Sequence, residues 1–286
     1  MRPSLAHPVG GIFLASLLTL AAAPLMASGT SASALSLATV SATHGKGIPV
    51  DVLYAGSLTE LMENQIGPAF SKATGYRFTG FAGGSKELAS QIRGRLRPAD
   101  VFISASPAVD ASLEGKAGGN WVTRYTVFAT SYLVIGYNPH SRFVSALRTR
   151  PWYQVVGEPG FRLGRTDPAI DPKGVLAEDA LTSAATRYDE PALAREAKDT
   201  SVVFPEESLV GRLQEGELDA GFFYEVEAVS GHIPTVPLSG YTLHATYTVA
   251  VVNHAPHPAG AASFVAYLFR LAGSNLLRRG GLSLSK

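Results

Sequence analysis

Hydrophobic positions near the start of the mature region change period several times, and each change predicts an element. Val50-Asp51-Val52-Leu53-Tyr54 is a short run of β-branched and aromatic residues, which predicts a buried strand that stops at the small pair Ala55-Gly56. Leu61, Met62, Ile66, Ala69 and Phe70 then recur at helical spacing, and Ser57-Leu58-Thr59-Glu60 before them has the form of a capping box. Tyr76 to Ala82 alternates as a strand and ends in Gly83-Gly84-Ser85. Leu88, Ala89 and Ile92 mark a second helix, and Ala99 to Ala105 a third buried strand. Strand and helix alternating at this spacing predict right-handed βαβ units and a parallel sheet, with ligands bound beyond the carboxyl ends of the strands. Ser57 and Ser85 both fall at such ends.

Further along, Tyr125 to Tyr137 is one long extended run, of the kind that leaves one domain and enters another. The pattern then repeats without sequence repetition. Phe161 to Thr166 predicts a strand, and Asp167 to Gly174 a loop rich in turn formers. Helices are expected over Val175–Arg187 and Glu190–Lys198, and a strand at Val202-Val203-Phe204. Pro205-Glu206-Glu207-Ser208 opens another helix, and Ala220 to Tyr224 is again a strand. Thr242 to Val252 reads as the path back, with a last helix at Ala259 to Leu271 and the fold ending near Gly281. The expected architecture is two α/β lobes, 48–130 with 245–286 and 131–244, joined by two extended hinge crossings around a cleft.

Composition narrows the function. With 286 residues, 46% of them hydrophobic, the chain can bury a sizeable core. A formal charge of +1 implies no basic face, so nucleic acid is not an expected partner. The absence of cysteine excludes a structural disulfide, a thiolate metal site and lipid attachment through an N-terminal cysteine. Residues 1–34 have the layout of a signal peptide: Arg2, the apolar run Gly11 to Ala23, Pro24, and small residues around Ala32-Ser33-Ala34, with Val40-Ser41-Ala42 as another cleavage site. The competing reading is an uncleaved membrane anchor. Either way the expected location is outside the cytoplasmic membrane, in the periplasm or at the cell surface.

A strand that runs through small residues into a helix start leaves free N–H groups and a positive dipole end facing outward, a site for an anion. Ala55-Gly56-Ser57-Leu58-Thr59, Gly83-Gly84-Ser85 and Ala99 to Ala105 together resemble the periplasmic molybdate-binding proteins of ABC importers. Asp167-Pro168 with Asp171-Pro172 and Gly174, and Gly216 to Tyr224, extend the likeness over most of the chain from Val50. The resemblance implies a type II periplasmic-binding-protein fold and ligand contacts from Ser57, Ser85, Asp171, Glu206 and Tyr224. Asp171 and Glu206 look more like the archaeal molybdate/tungstate branch, in which two carboxylates bind the metal centre of the oxyanion; Glu207 is the fallback for Glu206. The resemblance further implies no cofactor, a monomer, and permease subunits in the membrane as partners.

The chemistry of two carboxylates supports a metal-centred ligand. At ~4 Å each would repel a sulfate by about 4 kcal/mol at an effective dielectric near 20. Molybdate and tungstate contain an electrophilic centre that accepts carboxylate oxygens; sulfate and phosphate do not. Blander readings stand beside this one: Ser57 as a helix cap, Asp171 as an Asx-turn residue, Glu206 and Glu207 as a solvated first turn, Tyr224 as a core tyrosine. His254 and His257 flank a proline and read as surface residues. No catalytic motif is present, so an enzyme is not expected. The remaining rivals are a bilobed receptor for sulfate, phosphate or ferric iron, and a sensor module.

Overall fold

The computed structural model describes residues 47–285. The signal peptide expected over 1–34 and both suggested cleavage sites lie outside the described residues. Nine strands form one continuous sheet: β1 (Pro49–Ala55), β2 (Arg77–Gly83), β3 (Val101–Ser104), β4 (Thr126–Tyr137), β5 (Leu163–Gly164), β6 (Ala220–Tyr224), β7 (Thr235–Pro237), β8 (His244–Val251) and β9 (Ser283–Leu284). The order is β2-β1-β3-β8-β4-β6-β5, with β7 and β9 also paired to β4. β1 is parallel to β2 and β3, as right-handed βαβ crossovers require.

The longest strand organises the rest. From Thr126 to Tyr132, β4 runs antiparallel to β8 and belongs to the first lobe. From Leu133 to Tyr137 it pairs instead with β6, and through Val134 to Gly136 with β7, in the second. β8 closes the other side, lying between β3 and β4. These two antiparallel strands are the extended crossings expected from the hydrophobic runs.

Period-2 alternation decides what each strand buries. On β1 and β3, Val50, Val52, Tyr54, Val101 and Ile103 face one core with Leu61, Phe70 and Phe264. Leu53 and Phe102 face the opposite core with Leu88, Ile92 and Ala250. The second lobe repeats the device: Phe222 and Tyr224 face one side of β6, and Phe223 the other, against Leu209 and Leu213. Both faces of these strands are covered, which is why they read as continuous apolar runs.

The helices that matter for the site are α1 (Ser85–Gly94), α2 (Pro172–Arg187), α3 (Leu209–Gln214), α4 (Glu225–Ser230), α5 (Pro258–Phe269) and α6 (Leu271–Arg279). α2 begins at Pro172, ahead of the expected Val175, because proline at the first helical position needs no partner for a missing N–H. The helix expected over Glu190–Lys198 is confined to Pro191–Glu196.

Three expectations fail. Val202-Val203-Phe204 is not a strand: the Asp199 carboxylate accepts from the Ser201 N–H at 2.8 Å and turns Thr200–Val202 into a 3-10 turn, leaving a single bridge from Arg165 to Val203. The strand expected over Phe161–Thr166 accordingly makes ladder pairs only at Leu163–Gly164. The fold also continues past Gly281, because β9 adds Ser283 and Leu284 to the edge of β4. Among the described residues, no helix is long and apolar enough to cross a membrane.

Candidate functional site

From the first lobe, two glycine–serine pairs reach the cleft. After β1 the chain turns through the 3-10 segment Gly56–Leu58, and Ser57 is buried there. Its hydroxyl lies 2.8 Å from the Tyr247 hydroxyl on β8, 190 residues away, and makes no cap bond. The capping box expected from Ser57 and Glu60 is therefore not formed. Thr59 takes the local role instead, donating its hydroxyl to the Gly56 carbonyl at 2.6 Å. Ser85 opens α1 after Gly84 and is fully buried; its Oγ accepts from the Ala105 N–H at 3.1 Å. An oxygen that accepts from one side keeps its own proton to donate elsewhere.

The second lobe brings four buried groups here whose side-chain oxygens make no hydrogen bond of full geometry. Asp171 is the N-cap residue of α2; its backbone N–H donates to Asp167 at 2.9 Å, and its carboxylate oxygens make no hydrogen bond of full geometry, although the Thr166 hydroxyl and the Lys173 N–H lie near enough to lower its pKa. Glu206 starts the 3-10 turn Glu206–Ser208 that leads into α3, and its carboxylate oxygens make no hydrogen bond of full geometry, although the Gly56 N–H of the opposite lobe lies near enough to lower its pKa. Tyr224, at the end of β6, has 0% exposure and an unpartnered hydroxyl, and the buried Thr166 hydroxyl is unpartnered too. Asp171 is 1% and Glu206 4% exposed, whereas Glu207 points to solvent. Buried polar groups are almost always paired, and leaving one unpaired costs about 1–3 kcal/mol.

One residue here escaped the sequence reading. Lys173, in the first turn of α2, has 0% exposure. Its ammonium donates to Glu227 Oε1 at 2.6 Å and stands 3.5 Å from Glu206 Oε1, within ion-pairing range but without a hydrogen bond. Glu227 Oε2 in turn accepts from the Tyr224 N–H at 2.7 Å, tying the lysine to the end of β6. A lysine at a helix start gives no sign of burial; only its position two residues after Asp171 placed it near the site.

Electrostatics follow from burial. Removal from water pushes the Glu206 carboxyl well above the usual range, and neighbouring Asp171 adds to this. Burial raises Asp171 as well, partly offset by Lys173. Glu227 is raised by burial, against the pull of Lys173. The Lys173 ammonium is itself penalised by burial, but Glu227, Glu206 and Asp171 outweigh this and hold its pKa above the ordinary lysine value.

The lobes meet where glycine lets backbone approach. A Cβ at Gly56 would sit 3.0 Å from Glu206 Cβ and Oε2; one at Gly84 would sit 2.6 Å from the Ile170 carbonyl oxygen and 3.3 Å from Asp171 Cβ. The N–H groups of Lys86 and Glu87 both donate to that Ile170 carbonyl, at 3.0 and 3.2 Å, and the Lys86 ammonium donates to Pro168 at 2.8 Å. Each glycine–serine pair thus faces one carboxylate: Gly56-Ser57 with Glu206, Gly84-Ser85 with Asp171. A cavity of about 340 Å³ lies along this seam, lined by Gly84, Thr166, Asp171, Pro205 and Glu206 among others. His257, read as a surface residue, instead packs beside Asp100, its Nδ1 3.0 Å from Oδ2.

Two α/β lobes on shared strands, with converging polar ends in the seam between them, define a bilobed binding protein rather than a scaffold. The chain belongs to the bacterial extracellular solute-binding protein family, whose model matches residues 50–283. A Haloferax volcanii protein with the provisional description of ABC transporter molybdenum-binding protein is 32% identical over 191 residues, covering 66% of this chain. The chain spans 59% of that relative's length. The molybdate/tungstate-binding protein of Pyrococcus abyssi is 22% identical over 284 residues, covering 79% of this chain and 82% of the relative. Among solved structures, the periplasmic molybdate-binding protein of Azotobacter vinelandii superposes with a TM-score of 0.64 at 18% identity, over 83% of this chain and all of that one. The fold is the type II periplasmic-binding-protein fold.

Proposed function

We propose that the protein captures a metal-centred tetrahedral oxyanion, molybdate or tungstate, in the interlobe cleft and hands it to a membrane permease of the ABC class. The observation that carries this reading is the pair of buried carboxylates, Asp171 and Glu206, neither with a hydrogen bond of full geometry and each set against a glycine–serine turn of the other lobe. Ser57 and Ser85 donate to the oxyanion oxygens, as do free backbone N–H groups of the turns. Asp171 and Glu206 supply oxygens to the metal centre and raise its coordination from four to six. Tyr224 adds a hydroxyl. Closure of the lobes buries the complex, and opening releases it at the permease. The relatives described by molybdenum, molybdate or tungstate binding support the same ligand class. In this role the protein is exported, works as a monomer, and catalyses no reaction.

The test is titration calorimetry of residues 47–286 with molybdate, tungstate, sulfate, phosphate and ferric iron. Sub-micromolar binding of molybdate or tungstate, with sulfate at least about 100-fold weaker, is expected from repulsion by the two carboxylates. Tight sulfate binding with no response to molybdate or tungstate overturns the reading, and tight ferric binding alone replaces it.

A further inference from the structure

The buried lysine has a part of its own in this site, one that rests on the metal-oxyanion reading. Lys173 enters from the first turn of α2, and its ammonium is walled by the ring faces of Phe223 and Tyr224, 5.7 and 5.8 Å from their centres. It lies between two carboxylates and is bonded to only one of them, Glu227. The two oxygens of Glu206 are therefore differently placed. Oε1 faces the ammonium, and Oε2 faces the Gly56-Ser57 turn of the opposite lobe, 3.0 Å from where a Cβ on Gly56 would be.

We propose that Lys173 is a positioning residue: it holds Glu206 Oε1 out of the ligand's coordination sphere so that Oε2 alone is offered to the metal centre. Glu206 and Glu227 flank the ammonium at 3.5 and 2.6 Å, and the charge of Asp171, two residues before it, acts on it as well. Two of them face the ligand, and the third, Glu227, anchors the lysine and the backbone of Tyr224. Without the ammonium, Glu206 is free to rotate, to chelate through both oxygens, or to turn away from an incoming dianion.

A simpler role is that Lys173 only neutralises Glu227, and the variants separate the two. Lys173→Met leaves buried carboxylates uncompensated and is expected to weaken tungstate binding by about 100-fold or more. Lys173→Arg keeps the charge and is expected to recover binding to within about 10-fold of the parent. The double variant Lys173→Met with Glu227→Gln removes both members of the pair and guards against simple misfolding, since neutral replacements of a buried pair are well tolerated. If Lys173 positions Glu206, the folded double variant still binds tungstate at least about 10-fold more weakly than the parent. Tungsten L-edge absorption of its complex then differs from the parent's six-coordinate spectrum. If the double variant binds as tightly as the parent with an unchanged edge, Lys173 merely balances Glu227 and the proposal is wrong. A parent protein that binds no metal oxyanion at all overturns the underlying reading, and the proposal with it; a parent that binds while Lys173→Met binds equally well overturns the proposal alone.

Discussion

The two sides of the cleft treat their polar groups in opposite ways. On the first lobe, Ser57 is bonded to Tyr247, and Ser85 accepts from Ala105, so both hydroxyls are held by the protein itself. On the second, Asp171, Glu206 and Tyr224 are as deeply buried, but their side-chain oxygens make no hydrogen bond of full geometry. The first side is finished as structure and can donate in addition. On the second side Lys173 only partly offsets the burial of the acids, and a ligand that takes up their oxygens recovers more. A protein whose stability were the only concern would not place two carboxylates there.

Substitutions at the second-lobe acids test this contrast most severely. Asp171→Ala and Glu206→Ala are each expected to weaken tungstate binding by at least about 100-fold, measured by calorimetry. The ligand-free variants should unfold no lower than the parent, and Glu206→Gln should raise the midpoint by about 2–4 °C, since about 1 kcal/mol of unpaired burial is relieved in a chain of this size. A fall in midpoint for both residues would mean the carboxylates hold the fold together, and the contrast would collapse.

Asp110 provides a buried acid away from the seam, for comparison. Burial pushes its carboxyl up to about 7, although Thr248 donates to it at 2.5 Å. The folded value lies above the unfolded one, so the protonated form is favoured in the fold. Its stabilising contribution is present in full below about pH 4 and is lost as pH rises through about 7, on the order of 2–4 kcal/mol in all. Thermal unfolding of Asp110→Asn should show a flatter dependence between those limits, with tungstate affinity unchanged. An unaltered pH profile would remove Asp110 as the source.

A smaller effect is expected from the closing contacts. Gly84→Ala places a methyl 2.6 Å from the Ile170 carbonyl, so the lobes must part slightly. Affinity should drop by about 10-fold or more, and small-angle scattering with ligand should show a larger radius than the parent complex. The smallest effects belong to the first lobe. Ser57→Ala and Ser85→Ala should cost about 5–10-fold each, one hydrogen bond apiece. Losses as large as those at Asp171 would place recognition on the serines instead.

How much of this was legible in the sequence depended on whether local or distant partners decided the outcome. Strands β1, β3 and β6 were readable because both of their faces are apolar, and alternation merely sorts which core each residue meets. The glycine–serine turns were readable because small residues at strand ends have few other uses. The capping-box form of Ser57 to Glu60 gives no cap bond from Ser57, because its partner, Tyr247, comes from the far end of the chain and wins over the local bond. Val202 to Phe204 looked like a strand because three apolar residues carry no trace of the Asp199 turn that bends them. Neighbouring Glu206 and Glu207 are identical in chemistry, and only the direction of a 3-10 turn puts one inside and the other in water. Lys173 was the least legible, because its burial depends on Glu227, and nothing in the spacing of the two announces a pair.

The bonds that fasten the lobes over the seam are made to main chain: the N–H groups of Lys86 and Glu87 and the Lys86 ammonium all end on carbonyls of the 167–171 loop. A carbonyl is the same group whatever side chain it carries. On the proposed reading, the fastening and the choice of cargo are thereby written in separate alphabets, one in backbone and one in carboxylates. On the proposed reading, side chains at positions 171 and 206 could be exchanged to retune the cargo without touching these backbone bonds, provided that position 84 stays bare.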